Sequence, residues 1–310
     1  MLCLRSLAGR LPRSPLPGRS SGWATAPVRW LVDDMKLGRS LNRPSLDDAP
    51  DTDAVLYEVT DGVATLTLNR PDNKNALSAE LVDGIGDRLA RAQLDKAVRV
   101  IILTNKGNTF CAGADLKGKA TGPPRHTLVD ILNDIVVSPK PIIGRVNGHC
   151  MGGGVGLAAA LDISVVSDEA MLGFTEVRLG VCAAVISVVC LPKLRRADAS
   201  ELFLSGDRIT AARAVEVGLV NYAVAASAMD EHVDQIVGKV VRGGPRALAA
   251  SKELVNRVPL MDREAAFDWA APLSMELFRS TEAKEGIGAF RDRRDAAWVP
   301  EARRKGTGRA

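Results

Sequence analysis

The sequence predicts an α/β fold with a helical C-terminal part. Two β-rich runs near the start are joined by Asp61-Gly62, which is a strong hairpin signal. Segments with the periodicity of strands and of helices then alternate, and after about Asp198 the periodicity is almost entirely helical. The chain has 310 residues, 46% of them hydrophobic and 25% charged, so it can bury a sizeable core.

The first predicted elements are a hairpin, a helix and a buried strand. Residues 55–60 and 63–68 are the hairpin strands. Around Ser78, a residue that favours helix starts, apolar residues recur every four positions and predict an amphipathic helix; they are Leu77, Leu81, Ile85 and Leu89. The apolar run over 98–103 predicts a strand buried in a sheet.

The alternation continues and then gives way to helices. Residues 141–146 and 163–166 predict strands, and the small residues of 154–161 predict a helix between them, so the sheet is expected to be buried on both faces. Helices are predicted over 211–217, 229–241, 246–255 and 264–278. The sequence shows no internal repeat of fixed period, which argues against a solenoid.

The chain divides into a leader, a core and a helical end. Residues 1–50 are rich in Pro, Ser and Arg and predict a disordered leader or tail, 51–255 the α/β core, and 256–310 a helical region with a basic tail. The first 32 residues contain arginine and serine but no acidic residue, as in a mitochondrial transit peptide, although Pro12, Pro15 and Pro17 disfavour its amphipathic helix. We therefore expect a cytoplasmic protein, with the mitochondrial matrix as the alternative.

Composition excludes several classes of protein. The five cysteines form no CxxC pair and no zinc-finger spacing, so neither a disulfide framework nor a metal site is predicted. A net charge of +4, with basic clusters at the chain ends, does not indicate nucleic acid. No apolar run reaches the roughly 18 residues that a membrane span needs.

The most informative motifs are two glycine-bearing loops, residues 110–116 (FCAGADL) and 148–154 (GHCMGGG), followed by the acidic Glu176. Backbone N–H groups beside glycine can approach a ligand closely and donate hydrogen bonds where negative charge develops. A thioester carbonyl that becomes an enolate needs such donors and one proton carrier. The pattern therefore indicates acyl-thioester chemistry.

Other interpretations of these motifs are weaker. Residues 154–159 match the dinucleotide pattern GxGxxA, but this pattern should follow the first strand of its fold, and here several predicted strands come earlier. Residues 113–120 have P-loop spacing but end in Ala120, which lacks the hydroxyl that holds magnesium. The sequence has no GxSxG, and His149 is interpreted as a packing residue. Either glycine loop alone would be explained by tight packing of a helix on a strand.

The loops occur together with further motifs in one order, and the whole set resembles the crotonase, or enoyl-CoA hydratase, superfamily. The resemblance covers about residues 55–294 and is carried by Asn69-Arg70-Pro71, Asn75-Ala76-Leu77, the loop 110–116, Pro139-Lys140-Pro141, Asn147-Gly148, Gly152-Gly153-Gly154, Asp162-Ile163, Gly218-Leu219-Val220, Glu285-Gly286 and Ala289-Phe290.

The resemblance implies a spiral of ββα units followed by helices that build homotrimers or dimers of trimers. It implies an oxyanion hole formed by the N–H groups of Ala114 and Gly153. The coenzyme A part of the substrate is expected along Lys74, Ala76, Ala112, Asp115, Leu116 and Lys117. No permanently bound cofactor is expected beyond the coenzyme A that the thioester itself carries.

The chain departs from the pattern in one catalytic position. Hydratases of this family usually hold water between two glutamates; the first position is Gly156 here, and the second, Glu176, is retained. Residues 183–187 (AAVIS) also replace the usual proline and glycine turn, which predicts a reshaped acyl pocket. A hydratase of fatty-acid or branched-chain acyl-CoA metabolism is ranked first because bacterial methylglutaconyl-CoA hydratase-like members also have a single glutamate. An isomerase that uses Glu176 alone is second and a non-catalytic acyl-CoA-binding protein third, with a structural ion pair of Glu176 and Arg178 or Arg208 as the competing explanation.

Overall fold

The structure, a computed structural model, describes residues 53–116 and 124–304. Its strands form two sheets. The larger sheet contains, in spatial order, β1 (Val55–Thr60), β2 (Val63–Leu68), β3 (Val100–Asn105), β5 (Ile142–Val146), β7 (Ile163–Ser167) and β10 (Tyr222–Val224). The smaller sheet contains β4 (Thr109–Cys111), β6 (His149–Met151), β8 (Met171–Gly173) and β9 (Arg208–Thr210). All neighbours pair in parallel except β1 with β2 and β8 with β9.

After the first hairpin, whose two strands both belong to the larger sheet, each of the next three pairs of consecutive strands contributes one strand to each sheet and is followed by a helix. After the hairpin comes helix α1 (Ala79–Leu94); β3 and β4 precede α2 (Leu128–Val137), and β5 and β6 precede α3 (Gly153–Ala160). This is the predicted arrangement of ββα units. It places successive strands of the small sheet side by side, in parallel, although they are about 20 to 40 residues apart in the chain.

The predicted hairpin turn is confirmed in detail. Asp61 and Gly62 both have positive φ angles, 50° and 78°. Two central residues with positive φ are typical of the type I′ turn, whose twist matches that of the flanking strands. Thr60 therefore pairs with Val63, and the register extends to Val55 opposite Leu68.

The central strands of the large sheet, β3, β5 and β7, are buried on both faces, as predicted. In β3, Ile101 and Leu103 belong to the main core, whereas Val100 belongs to a second cluster with α7 (Met229–Val240). Because successive side chains of a strand point to opposite faces, every position of this strand is covered. The central strands therefore have a nearly continuous apolar sequence.

The chain after residue 183 is mainly helical. It forms α4 (Ala184–Cys190), α5 (Arg196–Ser205), α6 (Ala211–Glu216), α7, α8 (Pro245–Arg257), α9 (Arg263–Arg279) and α10 (Thr281–Arg291). The four helices predicted after residue 198 correspond to α6 to α9. The expectation that this part is almost entirely helical was wrong for β9 and β10, since strands of three residues are too short to show an alternating pattern.

Several predictions concern residues outside this description. The leader 1–50, Lys117 and the chain end from Lys305 onward lie outside the described residues. The boundary between residues 255 and 256 and the trimer stay predictions. Within residues 53–116 and 124–304, no helix is both long and apolar enough to cross a membrane.

Candidate active site

Three parallel strands of the small sheet deliver the predicted site residues to one edge. Ala114 follows β4, Gly153 follows β6 and Glu176 follows β8. Cys111 pairs with Cys150, and Met151 pairs with Gly173. Because the carboxyl ends of adjacent parallel strands meet at the same edge, the sheet brings the three residues together despite their separation in sequence.

No hydrogen bond to another described residue is found for the N–H groups of the two predicted oxyanion donors. The N–H of Leu77 donates to the carbonyl of Gly113 at 2.8 Å, and this contact holds the first loop so that the N–H of Ala114 donates to none of the described residues. Gly153 is the first residue of α3, where an N–H has no acceptor within the helix. The structure therefore leaves both donors available to a ligand.

Glycine is required for the two loops to approach each other. Gly113 has a φ of 89°, and a Cβ at that position would lie 2.9 Å from the carbonyl oxygen of Met151 and 3.5 Å from the nitrogen of Gly153. A side chain would push the loops apart. The positive φ and this close approach together explain why position 113 of the first loop is a glycine.

Glu176 lies beside these loops with one oxygen desolvated. It belongs to a short 3₁₀ segment, Thr175–Leu179, and its Oε2 is buried without a hydrogen-bond partner among the described residues. Burial raises the pKa of this carboxyl above its ordinary value of 4.5, against the opposing effect of a hydrogen bond from its own backbone. A carboxyl in this environment binds a proton more tightly than an ordinary carboxyl, which suits a group that accepts and returns a proton.

The structure does not favour an ion-pair role for Glu176. Arg178 instead pairs with Asp207 and donates to the carbonyl of Ser205 at 3.1 Å. Within the described part of the chain, no salt bridge involves Glu176 or Arg208. A carboxylate that no cation of the described residues neutralises is suited to proton transfer and not to a structural ion pair.

The loops and Glu176 line one cavity of about 870 Å³, a size suited to a small organic ligand. Two leucines border it at the oxyanion donors: a Cβ on Gly153 would lie 2.5 Å from Cδ1 of Leu77 and 3.4 Å from Cδ2 of Leu128. On the side of Glu176 the wall is formed by residues 181–186, including Ile186. Residues 183–187, predicted to reshape the pocket, lead into and form the start of α4. Residues 183–186 of this segment line the cavity, and Gly156 is buried against Ile186 of this helix.

The predicted coenzyme A residues fall into two groups. Ala112, Asp115 and Leu116 line the cavity, whereas Lys74 and Ala76 do not. These two belong to a segment that supports the cavity, since the carbonyl of Lys74 accepts the N–H of Ala112 at 3.1 Å. Lys117 lies outside the described residues.

The sequence does not reveal the contact between Asp87 and His126, which lines the cavity. Nε2 of His126 lies 3.1 Å from Oδ1 of Asp87, and its Nδ1 is buried without a hydrogen-bond partner among the described residues. Burial tends to raise the pKa of Asp87, but hydrogen bonds from His126 and Arg125 outweigh it, so the pKa is lowered. No signal in the sequence links positions 39 residues apart on different elements.

Two further predictions concern the role of His149 and the binding of metal ions. His149 is a packing residue as interpreted, because its Nδ1 accepts the N–H of Met171 at 3.0 Å. Among the residues that the structure describes, no group of three or more His, Cys, Asp or Glu side chains is placed to hold a metal ion.

Comparison with known proteins agrees with this geometry. A model of the enoyl-CoA hydratase/isomerase family matches residues 58–301. A Thermus thermophilus protein provisionally named an enoyl-CoA hydratase is 34% identical over 75% of this chain and 95% of its own length. The (E)-benzylidenesuccinyl-CoA hydratase of Thauera aromatica is 32% identical over 79% of this chain and 98% of its own.

A solved structure gives the same result. The enoyl-CoA hydratase of Mycobacterium smegmatis is 30% identical, with a TM-score of 0.74 over 80% of this chain and 99% of its own. The family match spans most of the chain, and the fold, the paired loops and the relatives agree. The chain therefore belongs to the enoyl-CoA hydratase/isomerase family of the crotonase superfamily.

Proposed function

We propose that the protein adds water to, or removes it from, a 2-enoyl-CoA thioester. The N–H groups of Ala114 and Gly153 bind the thioester oxygen as it takes on enolate charge, and Glu176 transfers the protons. One observation carries the proposal: two backbone donors without an acceptor among the described residues and one desolvated carboxylate meet at the edge of the small sheet and line one cavity. Donors aimed at a developing oxyanion are each worth roughly 10²- to 10³-fold in rate.

In the hydration direction, the oxygen of water bonds to C3 and a proton is added to C2. Ionised Glu176 removes a proton from the water and returns one to C2, so the carboxylate ends the cycle unchanged. The N–H groups of Ala114 and Gly153 stabilise the negative charge that develops on the thioester oxygen. A single carboxylate is sufficient if both transfers occur in one concerted step.

The coenzyme A part of the substrate extends along the first loop in this proposal. Ala112, Asp115 and Leu116 line the cavity and are assigned, with Lys117, to binding of coenzyme A. The carbonyl of Lys74 accepts a hydrogen bond from this loop, and Ala76 belongs to the same supporting segment. No separate cofactor enters the reaction. In this proposal the substrate is an enoyl-CoA of fatty-acid or branched-chain acyl-CoA metabolism.

A second candidate is an isomerase that uses Glu176 alone. Here the carboxylate removes a proton from C2 of a 3-enoyl thioester and returns it to C4, and no activated water is needed. The observation that favours this reaction is the burial of Gly156 against α4, which leaves no second carboxylate at that position. The third candidate is a protein that binds acyl-CoA without reaction.

One assay separates the three candidates. Absorbance of the conjugated enoyl thioester is followed with crotonyl-CoA and, separately, with a 3-enoyl-CoA. A hydratase removes the band from crotonyl-CoA, an isomerase creates it from the 3-enoyl ester, and a binding protein does neither. Glu176→Gln should abolish turnover and retain binding, whereas Glu169→Gln, an exposed glutamate seven residues earlier, should be active. Full activity of Glu176→Gln would contradict the proposal.

We also propose a homotrimer, or a dimer of trimers, in the cytoplasm. The terminal helices expose large apolar side chains: Phe267 and Phe278 of α9 are 68% and 74% exposed, and Phe290 of α10 is 87% exposed. Large exposed aromatic residues are typical of subunit interfaces. The molar mass in solution, measured by light scattering, tests the assembly; a monomer would contradict it.

A further inference from the structure

A second cavity, of about 270 Å³, shares no lining residue with the candidate active site. It is bordered by the end of α1, by the residues just before β3 and β5, and by the start of α8. Three cations line it, Lys96, Arg99 and Lys140, and none of the described residues in its wall is acidic. The rest of the wall is Gln93 and the apolar side chains of leucine, valine and proline residues. The cavity therefore combines positive charge with apolar surface.

Two of the cations are held in place by backbone carbonyl groups. Arg99 donates to two carbonyls of the C-terminal part of the chain, at 3.0 and 3.2 Å. Nζ of Lys140 donates to the carbonyls of Ala92, at 2.7 Å, and of Asp95, at the C-terminal end of α1. Because a guanidinium has five N–H groups and an ammonium three, both side chains keep N–H groups that a ligand can use. Their positions are fixed before any ligand binds.

The positive charges are not neutralised by carboxylates. Within the described residues, no salt bridge involves Lys96, Arg99 or Lys140. Burial lowers the pKa of Lys140 to about 8, the charge of Arg99 acts in the same direction, and Asp95 opposes the shift. Burial also lowers the pKa of Arg99, against the effect of Glu282. The two cations thus disfavour each other's charge, and an anion between them would relieve this repulsion.

We propose that this cavity is a binding site for a tetrahedral oxyanion, the phosphate group of a small molecule. A phosphate ion has an oxygen for each of the three cations, whereas a carboxylate has only two oxygens. The apolar wall strengthens the attraction, because it lowers the local dielectric constant. The site does not depend on the proposed reaction, since the two cavities share no residue. A bound phosphate would join the end of α1 to the starts of β3 and β5.

Calorimetric titration of the full chain with inorganic phosphate, at an ionic strength kept constant with chloride, tests the site. The unchanged protein should bind phosphate saturably. Lys96→Met should weaken the affinity by roughly three- to tenfold, and its exposed side chain makes no salt bridge to a described residue, so the variant should fold. Lys239→Met, which removes an exposed lysine outside this cavity, is the matched control and should bind like the unchanged protein. Equal affinities of the two variants, or no saturable binding to the unchanged protein, would overturn the proposal.

Two further variants separate this site from other effects of phosphate. Lys140→Gln keeps a donor for the carbonyls of α1 but removes the charge, so it should weaken binding at least as much as Lys96→Met. Arg70→Met removes a cation of the first cavity and should leave the affinity unchanged. Loss of binding in Arg70→Met alone would place the phosphate in the first cavity and overturn the proposal. A rise in melting temperature that does not saturate and is equal in all variants would show only exclusion of phosphate from the protein surface, which also overturns it.

Discussion

Oε1 of Glu176 lies 2.9 Å from the point that a Cβ on Gly152 would occupy. Gly152 has a φ of 50° and a ψ of −119°, a conformation that residues with side chains rarely adopt. The N–H of Gly152 also donates to the carbonyl of Gly173 at 2.9 Å, which joins the second loop to β8. This glycine therefore sets both the path of the loop and the space for the carboxyl group.

Gly152→Ala should reduce turnover far more than it reduces binding. The added methyl group displaces the carboxyl of Glu176 and strains the turn that presents Gly153. We expect kcat for the hydration or isomerisation reaction to fall by about 10²-fold or more, since proton transfer and one oxyanion donor are both affected. Steady-state kinetics measure this, with Gly180→Ala as a control because no atom lies within 4 Å of that position although its φ is also positive. A normal kcat in Gly152→Ala would contradict the assigned geometry.

The pH dependence of kcat should report the raised pKa of Glu176. The carboxyl must be ionised to accept a proton from water, and burial raises its pKa above 4.5. Activity should therefore fall on acidification with a midpoint above 4.5. A midpoint at or below that value would show that Glu176 is not desolvated in the working enzyme.

The same group should make stability depend on pH in a defined direction. Its pKa is higher in the folded than in the unfolded protein, so the folded state binds the proton more tightly. The free energy of unfolding then decreases as pH rises from 4.5 through the folded-state pKa. Glu176→Gln removes this decrease, so the variant should gain stability relative to the parent as pH approaches neutrality. Urea unfolding at several pH values measures the difference, and a difference that is constant with pH would contradict the expectation.

A buried ion pair should anchor the helical region to the core. Nζ of Lys252, on α8, donates to Asp162 at 2.8 Å and to the carbonyl of Ile135 at 2.7 Å, and Asp162 also accepts the N–H of Ile142 at 2.7 Å. Burial raises the pKa of Asp162 and lowers that of Lys252, although each charge favours ionisation of the other.

Lys252→Met should destabilise the protein by about 1 to 3 kcal/mol, because it removes the ion-pair partner of a carboxylate that is only partly exposed. Lys239→Met, on the exposed side of α7, should change the free energy of unfolding by less than about 0.5 kcal/mol. The two variants are compared by urea unfolding. Equal stability of the two would show that the pair contributes nothing measurable.

The sequence predicted the elements whose signals are local. The hairpin follows from Asp61-Gly62 because both residues must adopt positive φ, and α1 follows from Ser78, whose side chain accepts the N–H of Leu81 at 3.3 Å. The association of the two glycine loops could be predicted because they occur with Glu176 and further motifs in one order, and this set resembles the crotonase superfamily. The structure then supplies the reason, which is the approach of Gly113 to Gly153.

The parts that were not predicted depend on contacts between distant residues. Three-residue strands such as β9 carry no period, and α4 has neither a polar N-cap nor an amphipathic pattern. In the sequence, Ile186 is recognisable only as an apolar residue. Its close contact with Gly156 is evident only in the structure. The position of His126 likewise depends on a distant contact, with Asp87 on α1.

The small sheet also determines where the chain tolerates a change of length. Each of β4, β6 and β8 has only three residues, and each ends one to three residues before a group of the site. Deleting one residue from β6 would move Gly153 relative to Ala114 by about 3.3 Å, the rise of one residue in a strand, which is longer than an entire hydrogen bond. Insertions in the connections between the sheets leave that spacing untouched. Variants with an insertion or deletion between the short strands should therefore keep activity, and variants with such a change within a short strand should lose it.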